Sequence, residues 1–138
     1  MNSKVLLRIA AALVLIHLLG HSIGHFSWDK PQGSKMQAVV DMMKSHEAEF
    51  MGANKSMADC YQGYSLMIFG LFGMTISILW FASCFIADQR AIARKILIPI
   101  GIAYVFFGTV EFLCFFPFAA GVSFLAGLLT LIAVLKKD

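Results

Sequence analysis

Four long apolar runs make up most of the chain, and the polar residues gather between them. The first runs from Val5 to about His25, long enough to cross the roughly 30 Å hydrocarbon core of a bilayer as a helix. Lys4 precedes it and Arg8 interrupts it, as in a signal peptide. No small-residue cleavage motif of the A-x-A kind follows, so an uncleaved helix is expected. The second run covers about Tyr61 to Ala87. A charged link, Asp88 to Lys95, leads to the third, Ile96 to about Phe116. Pro99 is expected in its first turn, where a missing N–H does least harm. Pro117 marks a tight, uncharged turn in Phe116-Pro117-Phe118-Ala119, and the fourth run, 118–135, stops before Lys136-Lys137-Asp138. The pattern predicts an all-α, antiparallel bundle of four transmembrane helices forming one membrane domain, with spans at about 5–25, 61–87, 96–116 and 118–135.

Residues 27–58 form the one long polar connection. Ser34 and Gln37 have the spacing of a capping box, with Ser at the N-cap and Gln three residues later. Behind them Met36, Val39, Val40, Met43, Glu47, Phe50 and Met51 fall on one mostly apolar helical face. That face predicts a short amphipathic extracytoplasmic helix on the membrane surface. The alternative is a loop packing its methionines on the bundle.

Orientation follows from the basic residues. Lys4, Arg8, Arg90, Arg94, Lys95, Lys136 and Lys137 fall on one side of four spans. The other four of the 11 Lys and Arg lie in the 27–58 connection beside Asp29, Asp41, Glu47 and Glu49. Both termini are therefore expected in the cytoplasm, the connection outside, and the protein in the cell (inner) membrane.

Composition agrees: 59% of residues are hydrophobic, 14% are charged, and mean hydropathy is +0.79, where a soluble domain carries about 25% charged residues. A net charge of +3, with no basic cluster interleaved with aromatics, sets nucleic acid aside. Cys60, Cys84 and Cys114 form no C-x-x-C pair, and their odd number leaves at least one free thiol. The methionines form no M-x-x-M array and read as packing residues. No phosphate-binding loop, nucleophile elbow or H-E-x-x-H motif is present.

The chemistry-bearing residues sit inside the apolar runs. His17, Gly20, His21, Gly24 and His25 occupy one continuous helical face. Gly20-x-x-x-Gly24 has the spacing that lets a second helix approach closely, so this face is expected to point inward. Glu111 is the only acid within an apolar span. An acid there costs about 2.5–3.5 kcal/mol on insertion scales, which makes it a candidate by default. Tyr104, Gly108 and Glu111 share a face. The alternating spans put His21, His25, Glu111, Asp59, Tyr61 and Tyr64 in the outer half of the bilayer, with His17 as a deeper wall and His46 as a lid.

Three readings of this expected pocket compete. In the first it binds copper, zinc or iron: His21 and His25 chelate at i and i+4, and Glu111, Asp59 or His46 completes the set. His17 and His25 lie roughly 12 Å apart along the axis, too far to share one ion. A b-type haem needs histidines on facing helices, which only a pairing of two copies of the first helix would supply. In the second reading the pocket binds or modifies a lipid-like molecule. His21 or His25 is then the base, Glu111 the acid or orienter, and Tyr61, Tyr64, Tyr104 and Asp59 contact the ligand between aromatic walls. In the third, the polar groups only fix helix register, with Glu111 bonded to His21 or Tyr61, and the protein is a structural or accessory subunit of a membrane complex.

The stretches Gly20-His21-Ser22-Ile23-Gly24-His25, Phe50-Met51-Gly52, Asp59-Cys60-Tyr61-Gln62-Gly63-Tyr64 and Phe116-Pro117 together make the chain resemble a group of small bacterial four-helix membrane proteins of uncharacterised activity. The resemblance covers most of the chain and implies the four-span fold and its topology. It differs at Cys60, where the group's pattern has an aromatic residue, and at Glu111, where the group has no fixed acid. It implies no activity.

Overall fold

The computed structural model describes residues 2–136. It is helical apart from one hairpin: α1 Ser3–Ser27, α2 Ser34–Ser45, β1 Glu47–Phe50, β2 Ala53–Ser56, α3 Met57–Phe85, α4 Arg90–Cys114 and α5 Pro117–Leu135. Four of the helices, α1, α3, α4 and α5, are long and apolar enough to cross a membrane, with mean hydropathies of 1.9, 1.9, 2.0 and 2.4 over their best windows. Even α5, with 19 residues, reaches roughly 28 Å at 1.5 Å per residue. The chain divides into two compact units, Met1–Leu19 with Phe72–Asp138, and Gly20–Leu71.

In the first unit, α1 buries Ser3, Leu6, Leu7, Ala10, Ala11 and Val14, a stripe at helical spacing that His17 continues. Helices α4 and α5 run in opposite directions with their backbones nearly touching. A Cβ on Gly127 would lie 2.8 Å from the Gly101 carbonyl oxygen, and one on Gly108 would lie 2.9 Å from that of Ala120. Only glycine permits such an approach. The close helix contact expected at Gly20 and Gly24 is not there: a Cβ at either position meets nothing within 4 Å among the described residues.

Arg90 ties three helix ends together, with Nη2 3.5 Å from both Ser3 Oγ and the Ala133 carbonyl oxygen. Arg8 lies 4.8 Å from the centre of the Trp80 ring and donates from Nε to Ser83 Oγ at 3.4 Å. Pro117 opens α5, where its missing N–H costs nothing. Pro99 does not open α4. The helix begins at Arg90, because most of the charged link, Arg90 to Lys95, is itself helical, so Pro99 lies inside it. Its missing N–H leaves the Lys95 carbonyl without its usual partner.

In the second unit, the expected amphipathic helix stops early. Helix α2 ends at Ser45, with Gly33 rather than Ser34 at its N-cap and no side-chain cap. Gln37 donates to Asp41 Oδ1 at 2.9 Å, so the capping box at Ser34 does not form. Glu47, Phe50 and Met51 belong to the hairpin instead. Phe50 pairs with Ala53 across a two-residue turn in which Met51 and Gly52 have φ of 51° and 84°. Two successive positive φ values give the turn a twist that matches paired strands, and glycine supplies one of them without strain. Lys44 Nζ bonds Asp29 Oδ2 at 3.0 Å and lies 5.7 Å from the Trp28 ring, docking α2 on the chain after α1.

Candidate functional site

The polar groups of the apolar helices form two clusters, one in each unit. The first is built around His17. Its Nε2 lies 3.4 Å from Glu111 Oε1, its Nδ1 lies 3.0 Å from Ser123 Oγ, and its ring sits 4.7 Å from that of Phe72. Four helices thus supply one site: α1 the imidazole, α4 the acid, α5 the hydroxyl and α3 the aromatic wall. The side chains of His17 and Glu111 are 11% and 16% exposed. An apolar setting disfavours a net charge. Glu111 and Ser123 thus stand at the two ring nitrogens of one imidazole, an arrangement in which the acid can exchange a proton with Nε2.

Glu111 Oε2 and the Tyr104 hydroxyl have no hydrogen-bond partner among the described residues. Tyr104 is 3% exposed, its ring 6.3 Å from Phe72 and 5.5 Å from Phe107.

The second cluster joins His21 and His25 on α1 to Ser65 on α3. His21 Nε2 lies 3.0 Å from both the Ser65 carbonyl oxygen and Ser65 Oγ. A carbonyl can only accept, so Nε2 carries the proton. Ser65 Oγ also lies 2.8 Å from His25 Nδ1, so one serine joins the two imidazoles. Phe69 closes one side, 5.1 and 5.2 Å from the two imidazole rings.

The remaining expected site residues make other contacts among the described residues. Asp59 is spent on a helix cap: Ser56 donates to Asp59 Oδ2 from N and from Oγ, each at 2.9 Å, and Asp59 N–H donates back to Ser56 Oγ at 3.1 Å. This capping box starts α3. Tyr61 sits with its ring 5.0 Å from Trp28, and Tyr64 is 70% exposed. His46 bonds through Nδ1 to the Met42 carbonyl at 3.2 Å and to Ser45 Oγ at 3.1 Å. With Lys55 and Cys60 it lines a shallow depression of about 320 Å³. Among the described residues no three His, Cys, Asp or Glu side chains come together in a way that could hold a metal ion.

An open apolar groove of about 490 Å³ lies along α4 and α5, between Gly108, Phe112, Pro117, Gly121 and Leu128. Glu111 is not among its walls. Ser65 and Ser123, which organise the two clusters, were not singled out from the sequence. Ser123 was legible as a hydroxyl in the small-residue stripe Ala119, Ala120, Ser123, Ala126, Gly127, which Thr130 continues. The true cap was legible too, as Ser56-x-x-Asp59 directly before an apolar run. No family model, curated protein or solved structure matches the chain.

Proposed function

We propose that the chain is an integral membrane protein of four alternating spans, an antiparallel bundle with both termini cytoplasmic and residues 27–58 outside. Its polar clusters act as interhelical connectors, and it serves as a structural or accessory subunit of a membrane complex. One observation carries this reading: each histidine of α1 meets a side chain on another long helix, His17 beside Glu111 and bonded to Ser123, and His21 and His25 bonded to Ser65. Interhelical hydrogen bonds of this kind hold register where lipid offers no competing partner. The apolar side chains Met36, Val39 and Met42 of α2, all exposed, suit a helix resting on the outer membrane surface.

The metal reading now rests on His21 and His25 alone. A metal at His21 Nε2 would displace the proton donated to Ser65, and metal ligation needs that lone pair. The lipid-ligand reading rests on the apolar groove, whose walls do not include the acid.

Untagged protein purified in mild detergent tests the choice. The connector reading expects substoichiometric copper, zinc and iron, no visible haem band, and weakened helix association on replacing His17 or Ser65. Stoichiometric metal that disappears with His21→Ala and His25→Ala overturns it. For topology, a cysteine replacing Ser34 reacts with an impermeant thiol reagent outside intact cells, and one replacing Gln89 does not. The reverse labelling overturns the orientation.

A further inference from the structure

We propose that the end of the first unit where α1 and α4 begin and α5 ends is a binding surface for the phosphate headgroups of anionic phospholipids. The inference rests on the four-span reading and adds a lipid class to it. Lys4, Arg8, Arg90, Arg94, Lys95 and Lys136 all belong to the described part of this unit. Among the described residues flanking these helix ends Asp88 is the single acid; in the sequence Lys137 and Asp138 follow Lys136. The Arg90 bridge to Ser3 and Ala133 gathers the three helix ends that carry these basic residues into one place.

Lys4, Arg94 and Lys95 are exposed, and none of them makes an ion pair with a described carboxylate. Basic side chains held at a membrane surface with so little internal compensation attract anionic lipid over zwitterionic lipid.

The level of this surface is marked independently. Arg8 lies five residues, roughly 7.5 Å, inside the start of α1. Trp80 lies five residues before the end of α3, and the two are stacked at 4.8 Å. A half-exposed tryptophan paired with an arginine at one level is how an interfacial belt is built, with the ring among headgroups and the guanidinium reaching toward phosphate. The basic side chains beyond Arg8 then stand at headgroup level. Phosphate is the anion they meet there, and anionic headgroups are favoured because their charge is not cancelled by a cation of their own, as it is in phosphatidylcholine.

The test uses the full-length protein reconstituted in phosphatidylcholine nanodiscs, with and without phosphatidylglycerol. It reads the thermal midpoint and the lipid class retained in native mass spectrometry. Wild type is expected to unfold later with phosphatidylglycerol and to retain it selectively. The preference should fall about fivefold per basic residue removed, on the order of a hundredfold in the Lys4→Gln/Arg94→Gln/Lys95→Gln variant. It should also weaken in high salt. Replacing Lys30, Lys35 and Lys55, all in the other unit, should leave the preference intact, and inorganic phosphate added to phosphatidylcholine discs should not raise the midpoint. Equal behaviour of wild type in both lipids overturns the proposal. So does an undiminished preference in the triple variant, an equal loss in the control variant, or a midpoint rise with phosphate alone. A chain that inserts in neither disc overturns the four-span reading itself, an outcome distinct from insertion without lipid preference.

Discussion

Replacing His17 and Glu111 by leucine, singly and together, measures what their contact contributes to helix association. The two groups are 3.4 Å apart and largely buried. Full charges at that separation would attract by about 5 kcal/mol at an effective dielectric constant of about 20, and taking both out of water offsets most of that gain. A neutral interhelical hydrogen bond in a membrane contributes about 0.6 kcal/mol on average and about 1.7 at most. The separation exceeds the 2.7–2.9 Å or so of a charge-assisted bond, which places the pair in the weaker class. The expected coupling energy is therefore about 1 kcal/mol. The lost Ser123 contact appears in both His17→Leu arms of the cycle and cancels. Reversible unfolding in mixed micelles, followed by circular dichroism, supplies the four stabilities. A coupling below about 0.3 kcal/mol, the level at which independent sites add, would refute the connector role. A coupling of several kcal/mol would refute the neutral-pair description and make this a buried ion pair.

Three further outcomes are expected. Gly127→Val should destabilise by about 1–3 kcal/mol through overpacking, since its Cβ would lie 2.8 Å from the Gly101 carbonyl oxygen, whereas Gly20→Ala and Gly24→Ala should be tolerated because nothing lies within 4 Å; thermal unfolding of the three variants compares them. Ser56→Ala removes the N-cap of α3 and should cost about 1 kcal/mol, with amide exchange quickening at residues 57–60; unchanged protection there would contradict the capping assignment. Lys44, bonded to it, holds the Asp29 carboxyl below its ordinary value of 3.8. A lowered carboxyl contributes above its unfolded value and loses that contribution as pH falls through the folded one. The docking of α2, followed by Trp28 fluorescence, should thus be constant at neutral pH and fade only below about pH 4, and Asp29→Asn should abolish that step.

The spans were legible because burial in lipid demands apolar runs of helical length, and four such runs are present whatever their packing. Boundaries slipped where local chemistry competed. The charged link 88–95 reads as a connection between spans, yet nothing in Arg90-Ala91-Ile92-Ala93-Arg94-Lys95 opposes helix, and α4 starts at Arg90. The hairpin was hidden because a helical period was carried through Glu47, Phe50 and Met51 past a Met51-Gly52 turn signal. The candidate site was half legible. Periodicity put His17, His21 and His25 on one face, and the cost of a lone membrane acid singled out Glu111. Ser65 and Ser123 escaped because a serine in an apolar span is recognisable as a partner only when its neighbour is known.

By itself the sequence determines four runs long and apolar enough to cross a membrane, the face that carries the histidines and the acid set among apolar residues, since each is a property of composition and helical period. Tertiary structure alone decides the pairings. Glu111 meets His17, Asp59 caps its own helix with Ser56, and the close glycine contact falls at Gly101, Gly108 and Gly127 instead of Gly20 and Gly24. The physical reason is that a hydrogen bond or a close backbone approach depends on how far one helix slides and turns against another. That freedom is fixed by the shapes of all the side chains between them, and no single helix records it.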